Sequence, residues 1–415
     1  MRSTLVVDII AVALVSLATV VAADCPSECL CRRSGAVAGA VVRCRGDGLA
    51  EIPQNLDDDI VELVIRDSRI ATVGSDAFAS YGHLQHIRLD DNPLLRVVEP
   101  YAFRRLRRLK SVQIQGNNDL ILKANAFSEL QGRAVKVFLK NNNLSRIEPG
   151  AFERSSSRPL DIVTFEDSHI DKLEEGAFRG LRVQTLLVLP AVDGGSVEER
   201  SFDGLSVVNA FRLRNWRLKN LPEGTFHGLS QVGRLEIAHC RFDFVESGAF
   251  SGLRSTEEVT IHHCEFGGLS KDAFRGMEHV RSLRLVSNDI ERVEPGFLRS
   301  TLAAATQVDI ARNQFDCQCA SAAQWLDAAA LLDDGRPLRD NYCSGPTEVW
   351  EKALNATATL EHWRRCLNGG DGRQKIRPHV TEASVGAAPS SGALRHVLST
   401  GIPAAMALAV FSIVN

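Results

Sequence analysis

The chain has 415 residues, a formal net charge of −3 at pH 7 and ten cysteines. This length is enough for one large domain or two ordinary ones. A charge so close to zero excludes a general attraction to nucleic acid or to an acidic membrane surface. The cysteines are even in number and gather mainly near the two ends of the chain. They are typical of disulfides formed in an oxidising compartment.

The first residues predict a secretory signal peptide. Met1 and Arg2 precede a long apolar run, and Val21-Ala22-Ala23 provides the small residues of a cleavage site. We therefore expect residues 1–23 to be removed on secretion. An uncleaved membrane anchor is the alternative, but a cysteine-rich segment follows immediately, which favours cleavage.

Residues 24–57 form this first cysteine-rich segment. Its cysteines are Cys25, Cys29, Cys31 and Cys44, and the first periodic apolar residues are Leu49, Ile52 and Leu56. A zinc site is the rival interpretation. It is disfavoured because the spacing lacks paired C-x-x-C motifs and because the compartment oxidises thiols.

Residues 58–312 repeat with a period of about 24 residues. In each repeat two apolar residues alternate as in a short strand, so both side chains point to one face. Val280 to Leu298 is the most regular example, with Leu283 and Leu285 on the strand and Asn288 at the following turn. The strand pairs are Leu63/Ile65, Ile87/Leu89, Val112/Ile114, Val137/Leu139, Val163/Phe165, Leu186/Val188, Phe211/Leu213, Leu235/Ile237, Val259/Ile261, Leu283/Leu285 and Val308/Ile310.

A second column of the repeat is aromatic and fixes the same register. It lies mostly in the motif A-F-x-x-L, and its side chains should stack into a continuous spine along the convex side. Its members are Phe78, Phe103, Phe127, Phe152, Phe178, Phe202, Phe226, Phe250, Phe274 and Phe297.

The second cysteine-rich segment covers residues 313–366. Its cysteines are Cys317, Cys319, Cys343 and Cys366, and Trp325-Leu326 lies on a predicted helix. Such a helix would cover the apolar edge of the last repeat.

The pattern L-x-x-L-x-L-x-x-N-x-L resembles that of leucine-rich repeats. The two flanking segments resemble the cysteine-rich caps of the extracellular leucine-rich-repeat family, of the lipid-anchored type that includes connectin and Nogo receptor-like proteins. The resemblance implies an α/β fold, a curved solenoid with a parallel sheet on its concave face and a disulfide-bonded cap at each end. It also implies the pairs Cys25–Cys31, Cys29–Cys44, Cys317–Cys343 and Cys319–Cys366.

The turn position is irregular in the middle of the chain. Asparagine at this position is replaced by Ser68 and Ser168, and later by Ala191, Trp216, Cys240 and Cys264. Serine can still bond the turn, whereas alanine and tryptophan cannot do so in the same way. The coil around Pro190 to Arg200 is the most irregular, and we expect it to bulge or to shift the curvature.

Cys240 and Cys264 stand beside three histidines. The favoured interpretation is that cysteine replaces asparagine at the turn as a buried free thiol. A disulfide between the two is second, because they are stacked one coil apart. A zinc site with His239, His262 and His263 is third, since thiolates and imidazoles suit zinc. His239 and His263 should be mostly solvated.

The variable strand positions of the concave face are the candidate partner-binding residues. They mix both signs with a basic excess, so an acidic protein surface or a sulfated glycan could bind there, although each residue could also be an ordinary solvated one. The candidates are Arg88, Lys136, Phe138, Lys140, Arg212, Arg214, Arg234 and Glu236, with Glu258, His262 and Arg284 beside them.

Two sequons and an apolar tail predict modifications. Asn143 and Asn355 each begin an N-x-[ST] glycosylation site. Residues 367–390 read as a flexible stalk. Residues 391–415 end in an apolar run too short to span a bilayer, which matches a glycosylphosphatidylinositol (GPI) attachment signal with Ser390 as the attachment residue. A short tail anchor or an incidental apolar terminus is the alternative.

No enzyme signature is present. The chain lacks H-E-x-x-H, a G-x-S-x-G elbow, a P-loop and a G-x-G-x-x-G on a strand–helix turn. We therefore expect a non-enzymatic protein without a cofactor.

The resemblance implies a cell-surface recognition or adhesion protein. It would be held at the extracellular face of the plasma membrane by its anchor and bind an extracellular protein or co-receptor, homophilically or heterophilically. The alternatives are a secreted or anchored innate-immune or matrix protein that binds microbial or glycan ligands, and a small leucine-rich proteoglycan, whose cap spacing differs.

Overall fold

The apolar strand pairs of the repeats form one long sheet on the concave face of a solenoid. Every neighbouring pair of strands in it is parallel, except the first two strands, which are antiparallel to each other. In chain order its strands are β1 (Cys29–Arg33), β2 (Ala40–Gly46), β3 (Ile60–Ser68), β5 (His86–Asp90), β7 (Ser111–Gln115), β9 (Lys136–Lys140), β11 (Leu160–Ile170), β13 (Arg182–Pro190), β15 (Ser206–Arg214), β17 (Arg234–Ala238), β19 (Glu258–His262), β21 (Ser282–Val286) and β23 (Gln307–Ala311).

The computed structural model describes the repeats and most of both caps, and all described residues lie in one compact unit. The predicted signal peptide, residues 369–390 of the predicted stalk and the predicted anchor signal lie outside the described residues, as do Ala191, Trp325, Leu326, Asn355 and Ser390. The first residue of the predicted stalk, Leu367, is instead the last residue of a helix, and Asn368 caps that helix. The described residues are 25–33, 39–153, 158–190, 195–229, 231–322, 340–354 and 356–368.

Shorter strands follow each turn and pair along the side of the solenoid in three groups. The first group joins the main sheet where β10 pairs with the end of β11. The groups are β4 (Thr72–Val73), β6 (Val97–Val98), β8 (Leu120–Leu122) and β10 (Asn143–Ile147); β12 (Lys172–Leu173) and β14 (Ser196–Val197); and β16 (Arg217–Leu221), β18 (Arg241–Val245), β20 (Glu265–Phe266), β22 (Asp289–Ile290), β24 (Gln314–Asp316) and β25 (Tyr342–Gly345).

Helix is scarce in the described part of the chain. It comprises α1 (Phe297–Leu302), α2 (Thr357–Leu367) and a 3-10 turn at Cys319–Ser321. The A-F-x-x-L segments form turns instead, and glycines before them take left-handed angles, such as φ 68° at Gly176 and 65° at Gly224. Among the described residues, no helix is long and apolar enough to cross a membrane.

The predicted aromatic spine is present and continuous. Successive rings from Phe78 to Phe297 lie with their centroids between 4.9 and 6.2 Å apart. All of them are buried. The predicted strand pairs are buried as well, apart from the half-buried Val308 in the last repeat. Each coil therefore covers the apolar edge of its neighbour, as a solenoid requires.

The turn residues connect successive coils through buried hydrogen bonds, here called the turn ladder. The backbone N–H of Ser68 donates to Asn92 Oδ1 at 3.2 Å, and Asn92 Nδ2 donates to the Ile65 carbonyl at 3.1 Å. The same bond from backbone N–H to side chain links Asn92, Asn117, Asn142 and Ser168 in turn. It recurs from Cys240 through Cys264, Asn288 and Asn313 to Asn341.

The middle of the solenoid is irregular, as the sequence predicts. Between Ser168 and Cys240 the described residues make no rung of the turn ladder. Trp216 occupies the turn position there, 2% exposed, and its indole N–H has no partner among the described residues. The concave strands β11, β13 and β15 are longer in this region, and their registers shift within β11–β13 and β13–β15. The side strands β12 and β14 pair only with each other.

Both caps carry the disulfides that the family resemblance implies. The pairs are Cys25–Cys31, Cys29–Cys44, Cys317–Cys343 and Cys319–Cys366. At the N-terminal end, the antiparallel hairpin of β1 and β2 covers the first coil. At the other end, α2 buries Trp363 against the last coil, where its indole nitrogen donates to the Cys317 carbonyl at 3.3 Å.

Candidate partner-binding surface

The outward positions of the concave strands form a continuous surface because successive strands pair in register. In β9, Lys136, Phe138 and Lys140 point outward, while Val137 and Leu139 are buried between them. The sequence-predicted candidates all occupy such outward positions. Arg88 stands apart from the others on β5, separated from β9 by β7.

The centre of this surface is apolar. Phe138, Ile162, Leu187 and Leu189, here called the apolar centre, lie on the adjacent strands β9, β11 and β13 and are only partly buried. Burying apolar surface on one open face of a sheet requires a covering layer. These four side chains are half-buried, and large apolar patches at a protein surface are typical of interaction sites.

Thr164 lies in register between Phe138 and Leu187. It is 3% exposed, and its hydroxyl has no partner among the described residues. Neighbouring side chains therefore cover Thr164, which lies within the apolar centre.

The basic side chains on β9 are paired with acids of β11. Lys136 Nζ lies 3.5 Å from Asp161 Oδ2, and Lys140 Nζ lies 2.7 Å from Glu166 Oε2. Lys140 also places its ammonium 5.6 Å from the centroid of the Phe138 ring. The charged edge of the apolar centre therefore consists of paired side chains.

A second charged group surrounds Glu236 on β17. Its carboxylate accepts from Arg212 Nε at 2.9 Å, from the Arg214 guanidinium, and from His262 Nε2 at 3.3 Å. Burial alone would raise the pKa of the Glu236 carboxyl. The hydrogen bond and charge of Arg214, together with His262 and Arg212, instead hold that pKa below its usual range.

The remaining charges of the concave face are paired in the same way. Arg88 Nη2 lies 2.7 Å from Asp90 Oδ2, and Arg234 Nε lies 3.7 Å from Glu258 Oε2. Arg284 pairs with two carboxylates, since its Nη1 lies 3.5 Å from Glu258 Oε1 and its Nε lies 3.6 Å from Asp309 Oδ2. Each basic candidate thus faces a carboxylate, and the basic excess read from the sequence is offset by neighbouring acids.

Sequence reasoning missed most of the apolar centre and one rung of the turn ladder. The run Leu186 to Pro190 is apolar at inward and outward positions alike, and this signal could have revealed Leu187 and Leu189. Asn341 forms the last rung, since its Oδ1 accepts from the Asn313 backbone and its Nδ2 donates to the Ile310 carbonyl at 2.8 Å. Asn341 stands two residues before the buried Cys343, just as Asn313 stands two residues before the buried Phe315. This shared spacing could have identified Asn341 as a turn residue.

Cys240 and Cys264 are buried free thiols, as the favoured interpretation of the sequence expects. Their sulfurs point inward, 3.8 Å from the Leu213 carbonyl and 3.6 Å from the Ile237 carbonyl. Burial raises the pKa of the Cys264 thiol well above its ordinary value.

A different group, Cys319, Cys366 and His362, brings its ligand atoms within 4.8 Å of one another. Both of its sulfurs belong to one disulfide. No thiolate is therefore available to bind a metal there.

Of the three predicted modification sites, the structure describes only Asn143. Asn143 is exposed at the first position of β10, just after the Asn142 turn, where a glycan could be attached. Its glycosylation stays a prediction. Asn355 and Ser390 lie outside the described residues, and the predictions made for them stay open.

We predict that native protein at pH 8 will not react with a maleimide at Cys240 or Cys264, because both thiols are buried and the reagent cannot reach them. After denaturation without a reductant, the same sample should release two reactive thiols per chain. Thiol counting by mass spectrometry checks this. No thiol after denaturation would mean that the two cysteines are disulfide-bonded, and rapid native labelling would mean that they are exposed.

Comparison with known proteins supports the repeat assignment. The family model "Leucine rich repeat" matches residues 59–120 and 230–290, one segment on each side of the irregular middle.

Two solved structures are similar to the chain. A chain of the mouse RP105/MD-1 complex is 17% identical with a TM-score of 0.46, over 76% of this chain and 53% of that one. A chain of the octameric complex of latrophilin 3, Unc5D and FLRT2 is 16% identical with a TM-score of 0.40, over 81% of this chain and 99% of that one. This chain thus spans about half the length of the first of them. The described chain is a leucine-rich-repeat solenoid with a disulfide-bonded cap at each end.

Proposed function

We propose that the protein recognises another extracellular protein through its concave face, with the apolar centre as the core of the interface. The observation that carries this proposal is the position of Phe138, Ile162, Leu187 and Leu189, partly exposed on three adjacent strands in the middle of the open sheet. Protein interfaces typically combine an apolar core with a polar rim. Here the paired charges of β9, β15 and β17 form such a rim.

The charge pairing favours a protein partner over a sulfated glycan. An anionic polymer would have to displace carboxylates such as Glu236, which already accepts from Arg212 and Arg214. A protein partner can instead match the alternating signs, which gives specificity and register. The innate-immune or matrix interpretation with a microbial or glycan ligand remains the second candidate. It would use the same face.

We further propose that this recognition takes place at the cell surface, with a GPI anchor on Ser390 and a glycan on Asn143. The signal-peptide pattern, the disulfide-bonded caps and the small-residue and apolar pattern of the C-terminal tail support this location. A lipid anchor would leave signalling to adhesion itself or to a co-receptor in the same membrane. A glycan on Asn143 would stand at the rim of the coil that carries Phe138 and restrict approach from that side.

We predict that Leu187→Glu will weaken partner binding at least about tenfold, equivalent to roughly 1.4 kcal/mol, because it places a charge in the core of the interface. The matched control is Leu94→Glu, since Leu94 is 42% exposed in a turn and outside the concave strands. The chain, multimerised, is first screened against cells that each display one extracellular protein. Both variants are then titrated against the cells that bind.

Cells expressing the full chain are mixed in parallel to test homophilic adhesion. Aggregation that disappears with Leu187→Glu indicates homophilic binding, and the absence of aggregation directs the test to heterophilic partners. If binding survives Leu187→Glu but is lost after heparinase treatment of the cells, the glycan interpretation replaces the proposal.

We predict that phosphatidylinositol-specific phospholipase C will release the protein from the surface of expressing cells, because the enzyme cleaves the proposed GPI anchor. Flow cytometry before and after treatment measures the release. Leu408→Arg with Phe411→Arg should abolish surface display and send the chain to the medium, since charges disrupt the apolar attachment signal. Retention on treated cells would overturn the lipid anchor.

A further inference from the structure

Three histidines meet where strands β17 and β19 end, beside the concave face. His262 is the last residue of β19, and His263 follows it directly. In the preceding coil, His239 is the equivalent of His263. His239 and His263 both adopt left-handed backbone angles, φ 54° and 52°, just before the buried cysteines of the turn. This shared backbone geometry places their rings in a stack, with centroids 5.1 Å apart.

The ring nitrogens of His262 have distinguishable roles. Its Nε2 lies 3.3 Å from Glu236 Oε1, and its Nδ1 lies 2.9 Å from His263 Nδ1. An ionised carboxylate can only accept, so Nε2 of the neutral ring carries the proton and Nδ1 presents its lone pair. His263 then donates its Nδ1–H to that lone pair when no ion is bound.

This arrangement is the one found around protein-bound metals, where a ligating histidine donates its second N–H to a carboxylate. Two imidazole ligands on a tetrahedral ion at 2.0–2.1 Å have nitrogens about 3.4 Å apart. The observed 2.9 Å between the two Nδ1 atoms needs only a small opening to reach that separation.

We propose that His262 and His263 form a binding site for a borderline divalent transition-metal ion, with Zn²⁺ as its representative. His262 binds through Nδ1, held by Glu236. His263 transfers its Nδ1 proton to Nε2 or to solvent and binds through the freed nitrogen. His239 is exposed and stacks its ring on that of His263. Water, or a side chain of a bound partner, completes the coordination.

The site differs from the thiolate–imidazole zinc site that the sequence suggests. The sulfurs of Cys240 and Cys264 point inward to backbone carbonyls and are not ligands. Histidine nitrogens alone suit Zn²⁺, Cu²⁺ and Ni²⁺ better than Mg²⁺ or Ca²⁺, which prefer oxygen ligands.

Access to the site is open, and its charge is mixed. His239 and His263 line a groove of about 920 Å³ at the side of the solenoid, so a hydrated ion can reach them. Arg284 and Arg312 border His262 and His263 on the other side and repel a cation. Glu236 opposes this repulsion, and Arg284 is itself paired with Glu258.

Isothermal titration of Zn²⁺ into the purified full chain, without a histidine tag, tests the proposal. One ion should bind per chain. His262→Ala and His263→Ala should each weaken binding by more than about tenfold, and Glu236→Gln by about tenfold through the lost carboxylate contact. The matched control is His83→Ala, which removes an exposed histidine far along the chain from the cluster. It should leave the affinity unchanged.

Two further measurements test whether the variants are folded and whether binding is specific to transition metals. Circular dichroism checks that each variant is folded, and Mg²⁺ at the same concentration should give no heat of binding. The proposal is overturned if the full chain binds no Zn²⁺, or if the affinity of His262→Ala and His263→Ala equals that of His83→Ala. The result bears on the metal site alone, because Leu187→Glu tests the proposed recognition function separately.

Discussion

The structure depends on one constraint, which is that a single coil cannot bury its own apolar side. Each coil exposes two strand side chains and one phenylalanine to its neighbour, and only the next coil removes them from water. The unbroken stack from Phe78 to Phe297 shows how completely this is done. Truncating one such buried ring to alanine typically costs about 3–5 kcal/mol. The caps meet the same constraint at the two ends, where no further coil follows.

The turn ladder is the second connection between coils, and its interruption begins at the edge of the candidate site. Between Ser168 and Cys240 the concave strands lengthen and shift register, so that main-chain pairing carries the contact between coils there. The apolar centre lies on β9, β11 and β13, at the start of this stretch. A departure from the repeat rule at a functional site is expected, because binding residues and regular packing place different demands on the same positions. The apolar centre therefore lies where the regular repeats give way to the irregular middle of the solenoid.

Much of the fold could be predicted from the sequence because two independent columns repeat with the same period. The strand pairs and the phenylalanine spine were both readable, since burial restricts those positions to apolar residues. The caps and their cysteine pairs came from family resemblance, because spacing alone leaves the connectivity of several cysteines open. The irregular middle was located, but its register shifts depend on tertiary pairing that no local pattern encodes.

The candidate surface was only partly readable. Arg212, Arg214 and Glu236 were recognised as outward residues, yet their mutual pairing depends on which strands become neighbours. Leu187 and Leu189 were overlooked, although the predicted strand pair Leu186/Val188 already places these alternate residues on the outward face. The contact between His262 and Glu236 joins residues of adjacent coils, so only the register of β17 and β19 could disclose it.

The most direct test of this account is hydrogen–deuterium exchange, followed by mass spectrometry, on the full chain. The concave sheet runs without a break through the irregular middle. The backbone amides of β11, β13 and β15 should then exchange as slowly as those of β5, β7, β19 and β21. Rapid exchange in β11, β13 and β15, with both ends still protected, would contradict a continuous solenoid and remove the scaffold of the apolar centre.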